Sequence, residues 1–128
     1  MEVPILKQGP VLIATFQAAL SDADLNQLRS ALVQQVVRFR SRGVIVDVTA
    51  MDVMDSFASR TLREIAHIIR LRGAETVIVT GLSPEIAQTL VTIGVDLGKM
   101  NTVGDLQGGI EQAERLLGYK VMALAEPN

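Results

Sequence analysis

Two rhythms of hydrophobic and polar positions alternate along this chain. Short unbroken apolar runs suit strands buried on both faces. Between them, apolar residues return every three or four positions, as on one face of a helix. The first run is VLIATF at 11–16, and PILK at 4–7 can pair with it across the turn signal Gly9-Pro10. From Ser21 to Gly43 the helical rhythm takes over, with a stripe of Leu25, Leu28, Leu32, Val36 and Phe39. Ser21 or Asp22 can cap this helix, Arg38, Arg40 and Arg42 crowd its last turn, and Gly43 ends it.

GVIVDVT at 43–49 predicts a strand buried on both faces, followed by the loop AMDVMD. A helix is predicted from about Ser56 to Arg72, with Leu62, Ile65, Ala66 and Ile69 facing the core and Gly73 as its stop. ETVIVTG at 75–81 is the next strand. The helix after it, 83–94, has a strong start in Ser83, Pro84 and Glu85. A short last strand is expected within 97–103. The final helix, 104–118, is weakened by Gly108 and Gly109. Strand and helix alternate three times, so the fold class is α/β: one domain, with a central mixed sheet of four to five strands and about four helices. The domain is expected to span 1–118, leaving 119–128 as a C-terminal tail.

Composition narrows the chemistry. The 128 residues are 48% hydrophobic, only 3% aromatic, and carry a formal charge of −2. That balance gives no bulk attraction to nucleic acid or to an acidic membrane. With one Tyr and no Trp there is no stacking platform for single strands. No apolar run approaches the roughly 18 residues of a membrane span, and no secretory pattern opens the chain, so a cytoplasmic protein is expected. The absence of Cys removes disulfides and thiolate metal sites, and a single His removes a His cluster.

The stretch DVTAMDVMDSF, 47–57, holds the candidate chemistry. It lies at the carboxyl end of a predicted central strand, where α/β sheets place their sites. Ser56 stands at the start of a helix, where free N–H groups and the helix dipole favour an anion. A phosphate there would add about −1.5 to −2 charges, with Asp52 and Asp55 repelling it and Arg60 and Arg63 one and two turns on. Equally, Asp55 or Ser56 can simply cap the helix. A Ser–His hydrolase does not fit, because His67 would sit about 16 Å from Ser56 along the same helix. Asp47, Asp52 and Asp55 offer oxygen ligands for Mg²⁺ in the manner of a receiver domain, but the first central run ends without the acidic pair that chemistry needs. Asp47, inside a strand, requires a partner, expected among the loop N–H groups at 50–55. Gly81 and Ser83 could cradle an anion, although capping accounts for both. Arg29, Arg38, Arg40 and Arg42, with Arg60, Arg63, Arg70 and Arg72, form either a face for an acidic partner or a solvated surface.

Taken together, GVIVDVTAMDVMDSFASRTL, RLRGAETVIVTGLSPEIAQTLVTIGVDL and TVGDLQGGIEQA resemble the STAS domain of anti-sigma factor antagonists over roughly residues 4–117. The switch reads D-S-F rather than the DSSG of sporulation-type antagonists, which is similar to the stressosome-scaffold branch. The resemblance implies a non-enzymatic scaffold that needs no cofactor. It implies phosphorylation of Ser56 by an RsbT-like serine/threonine kinase, which the scaffold sequesters and then releases. It also implies self-association and assembly with RsbR-like sensor paralogues into a large particle. Those paralogues carry an N-terminal globin-like domain for which this chain has no room. Asp47, Asp52 and Asp55 would shape the switch loop or the kinase-recognition surface. Met54 and Phe57 would serve either as docking contacts or as core. Ser59 falls off the motif and is expected on the helix surface. The other reading of the same residues is a STAS-like module that binds a small ligand or nucleotide.

Overall fold

The computed structural model describes residues 4–17, 20–51, 54–92, 94 and 101–118. The strands are β1 (Ile5–Gln8), β2 (Val11–Thr15), β3 (Gly43–Asp47), β4 (Thr76–Thr80) and β5 (Asn101–Val103). The helices are α1 (Asp22–Phe39), α2 (Ser56–Leu71), α3 (Pro84–Thr92) and α4 (Leu106–Leu117). The five strands form one sheet in chain order. β1 is antiparallel to β2, and the other pairs are parallel. The expected tail at 119–128 and the first part of the expected last strand, 97–100, lie outside the described residues.

Alternation along the strands feeds two cores, because successive side chains point to opposite faces. Leu12, Ala14, Val44, Val46, Val77 and Val79 pack with α1, α2 and α3 through Leu25, Leu32, Leu62, Ile65, Ile86 and Leu90. Val11, Ile13, Ile45 and Ile78 point the other way and meet Ile110, Ala113 and Leu117 of α4. The three central runs therefore read as continuous apolar sequence because helices cover both faces. Gly109 sets how closely α4 lies on the sheet: a Cβ there would come within 2.4 Å of Thr80 Cγ2. The glycines expected to weaken this helix are what let it approach.

One predicted boundary moves. The first helix ends at Phe39, not at Gly43, and Gly43 is the first residue of β3. The N–H groups of Arg42 and Gly43 both reach the Pro10 carbonyl, at 2.8 and 3.2 Å, so the chain has already turned into the sheet. The stop is Arg40, in left-handed backbone at φ 48°, ψ 47°, where glycine is usual. Phe39 closes the predicted stripe in sequence but is 39% exposed, with Lys7 Nζ and the Arg38 guanidinium over its ring at 5.5 and 5.3 Å. Left-handed backbone costs a side-chain-bearing residue about 1–2 kcal/mol, part of which glycine returns as unfolded-chain entropy. Arg40→Gly is therefore expected to raise stability by up to about 1 kcal/mol, read as a higher urea midpoint at unchanged slope.

Two ion pairs tie neighbouring elements. Arg29 of α1 meets Glu64 of α2 at 2.7 Å. Arg42 bonds Glu75, just ahead of β4, and holds its carboxyl below the usual carboxylate range. Both pairs are solvent-exposed and contribute little to stability.

Candidate functional site

The site forms where β3 and β4 end and α2 begins. Asp47 closes β3 and is 8% exposed. Its Oδ1 accepts from Thr49 Oγ1 at 2.7 Å and from Thr80 Oγ1 at 2.8 Å. Among the described residues the partners of Asp47 are two threonine hydroxyls; of the loop N–H groups expected at 50–55, those of residues 52 and 53 lie outside the described residues. Thr80 is the parallel-register neighbour of Asp47, so the carboxylate ties β3 to β4 and also holds the first residues of the loop. Gly81 follows at φ +81°, and a Cβ there would lie 2.0 Å from Thr49 Oγ1. The close approach of these two strand exits requires glycine.

Asp47→Ala leaves Thr80 Oγ1 buried without its acceptor. This variant is expected to lose about 1–3 kcal/mol, the cost of an unmade buried hydrogen bond. Asp47→Asn keeps an oxygen acceptor and is expected to lose clearly less. Urea midpoints of the two variants check the difference.

Beyond Thr49 the loop is pinned at both ends. Met51 is 6% exposed and Met54 2% exposed, and both belong to the larger core. Of the two roles open to Met54, the structure gives it that of a core residue. Phe57 is half-buried against the same core. Asp52, the remaining acid of the motif, lies outside the described residues.

Asp55 is the N-cap of α2, and its Oδ1 accepts the Ala58 N–H at 2.7 Å. Ser56 is consequently the first helical residue, exposed, and its hydroxyl has no hydrogen-bond partner among the described residues. Asp55 thus does the capping that would otherwise have occupied Ser56. Arg60, one turn on, and Arg63, two turns on, are exposed on the same helix. Their spacing from Ser56 leaves Arg60 as its neighbour along the helix face.

Ser59 is not on the surface, as expected, but fully buried, and its Oγ donates to the Asp55 carbonyl at 2.8 Å. Counting back from Leu62, Ala66 and Ile69 by threes and fours puts residue 59 on the buried stripe, a signal that the motif obscures. His67 is exposed on α2. At the next helix start, Ser83 Oγ accepts the Ile86 N–H at 3.1 Å, so that hydroxyl already serves as a cap. Among the described residues no group of three or more His, Asp or Glu could hold a metal ion.

A family model described as the STAS domain matches residues 2–105. The chain belongs to the STAS domain family, and its five-stranded mixed sheet with four helices is the STAS fold. Its relatives in that family include stressosome proteins. RsbT co-antagonist protein RsbRA of Bacillus subtilis (strain 168) is 36% identical over 95 residues, covering 74% of this chain and 34% of that protein. A solved serine-to-glutamate variant of RsbS from Moorella thermoacetica superposes with a TM-score of 0.83 at 30% identity, over 91% of this chain and 98% of that one. A chain from the molecular architecture of the stressosome, a signal integration and transduction hub, gives a TM-score of 0.81 at 31% identity, over 91% and 100% of the two chains. The chain spans about a third of the length of the curated relatives RsbRA and RsbRD. Among the described residues no helix is long and apolar enough to cross a membrane.

Proposed function

We propose that this protein is a non-enzymatic scaffold and phospho-switch of the stressosome type, with Ser56 as the phosphoacceptor. In this reading it sequesters an RsbT-like serine/threonine kinase and releases it when Ser56 is phosphorylated, controlling a bacterial stress response. It self-associates and assembles with RsbR-like sensor paralogues in a cytoplasmic particle. The working unit is residues 1–118. Asp52 and Phe57 complete the docking surface around Ser56, while Asp47 and Asp55 hold its framework.

The observation that carries the reading is the division of labour at the start of α2. Asp55 caps the helix, and the neighbouring Ser56 hydroxyl is exposed with no described partner. A phosphate on this first helical residue would sit beside N–H groups that no helical carbonyl satisfies, in the positive field of the dipole. Arg60 stands one turn away to receive part of its charge. The docking surface would then carry about −1.5 to −2 additional charges without any change of fold. The kinship with RsbS, with RsbRA as a named RsbT co-antagonist, and with a stressosome chain supports the choice of partner and assembly.

Intact-mass analysis after incubation with the cognate kinase, Mg²⁺ and ATP tests the assignment. Wild type should gain one phosphate and Ser56→Ala none. Ser59→Ala should still gain one, because Ser59 is buried beneath the helix and unavailable to a kinase. A phosphate persisting on Ser56→Ala, or none on wild type, overturns the assignment.

A further inference from the structure

We propose that the end of the molecule opposite Ser56 is a second interaction surface, and that it docks the acidic end of another copy of this chain, head to tail.

The topology sorts the charges. β2 to β5 run parallel, so each helix starts at the end of the sheet where the strands finish and stops at the other end. The helix starts carry Asp22, Asp24, Asp55, Glu85 and Asp105. The helix ends, with the one to three residues after them, carry Arg38, Arg40, Arg42, Arg70, Arg72 and Arg115, against one acid, Glu114 in the last turn of α4. Lys7, next to the β1–β2 turn, joins the basic end through Phe39. Mid-body, Arg29 is neutralised by Glu64, and at the basic end Arg42 is neutralised by Glu75.

Helix dipoles favour this sorting but do not account for its extent. Each helix end is equivalent to about half an elementary charge, so four helices ask for about two compensating charges at each end. More acids than that stand at one end and more arginines at the other. Apolar side chains also remain uncovered beside the arginines: Leu71 is 71% exposed and Val37 54%. Arg40, a cation of this surface, occupies the single described non-glycine position with positive φ, where glycine would be the more stable choice. A surface that keeps a strained arginine among exposed apolar groups fits an acidic partner with a small apolar contact. The acidic surface of matching extent is the other end of this same chain, which singles out a second copy as the occupant. Such a contact uses different surfaces on the two molecules and so repeats along a ring or chain of copies. The acidic end is the one that carries Asp55 and Ser56, so a phosphate on Ser56 would add to its charge, and the contact is tested on unphosphorylated protein.

Sedimentation of the full chain tests this with charge swaps at exposed positions away from the Ser56 loop. One variant carries Arg40→Glu and Arg72→Glu, the other Asp22→Lys and Glu85→Lys. Wild type should show a larger weight-average mass at about 0.02 M than at about 0.5 M salt, because the contact is screened. Each variant alone should lose that increment, and an equal mixture should recover it, since each then offers the end the other needs. A second mixture, Arg29→Glu with Arg63→Glu against Glu64→Lys with Glu111→Lys, has the same net charges placed mid-body and should recover nothing beyond its components. Circular dichroism confirms that each variant is folded. A wild-type mass independent of salt, an increment that survives in either end variant, or recovery in the mid-body mixture as large as in the end mixture overturns the proposal.

Discussion

Protein carrying one phosphate on Ser56 is expected to bind its kinase at least about tenfold more weakly than unmodified protein, a loss of about 1.4 kcal/mol. A kinase presented with Ser56 must hold nucleotide phosphates and Mg²⁺ close to that hydroxyl. Once the phosphoryl group has been transferred, a near-dianion faces the nucleotide and must shed water to stay in the interface. Asp55 remains beside it and adds to the local negative potential. Even at an effective dielectric of about 20, unit charges 4 Å apart repel by about 4 kcal/mol, so partial screening by Arg60 leaves room for the expected loss. Calorimetric titration of stoichiometrically phosphorylated protein against the kinase reads it directly. Ser56→Ala should bind as tightly as wild type, which separates the charge from the loss of a hydroxyl. Equal affinities for the phosphorylated and unmodified forms would remove release from the proposed function while leaving the modification site standing.

The largest loss of stability is expected at Gly81. Its φ of +81° disfavours any side chain, and an added Cβ would lie 2.8 Å from the Thr49 Cα as well as against its hydroxyl. Backbone contributes to this clash, so no side-chain rotation relieves it. The strands must separate, and Thr80 then loses the Asp47 carboxylate. Conformational strain, overpacking and a broken hydrogen bond each cost about 1 kcal/mol or more, so Gly81→Ala is expected to lose about 3 kcal/mol or more. Gly73→Ala provides the comparison. It also has positive φ, +109°, but nothing lies within 4 Å of its added Cβ. Conformational strain alone remains there, about 1–2 kcal/mol. Urea denaturation of the two variants beside wild type separates close approach from dihedral preference. If the two lose the same amount, the packing of Thr49 on Gly81 is not what makes the site rigid.

The order of elements was legible because this sheet is covered on both faces. Val44 to Val46 and Val77 to Val79 are apolar without interruption, and few other environments produce that pattern. Helix starts were legible at Ser21, Asp55 and Ser83, whose side chains accept from the N–H groups of their own first turns, an interaction written within three residues of sequence; Asp105 caps α4 in the same way but was not read as a cap. What escaped is non-local or runs against propensity. One of the two partners of Asp47, Thr80, lies 33 positions away on another strand. The first helix stops at an arginine in left-handed backbone, where glycine is the usual signal and arginine gives none, so the expected end slides to the next glycine. Ser59 was misplaced because the motif draws attention to Ser56, although the periodicity of α2 already assigns residue 59 to the core.

The two methionines that bracket the loop have a consequence for how it can vary. Met51 and Met54 are both sunk in the core, with Asp52 and Val53 alone between them in the chain. A surface loop ordinarily tolerates insertions at small entropic cost. Here one added residue must pull a methionine out of its packing or push the start of α2 out of register with the sheet. The segment should therefore be free to drift in composition between its anchors while keeping its length. Lineages that gain or lose a residue at this point would have to rebuild the cap and the serine together.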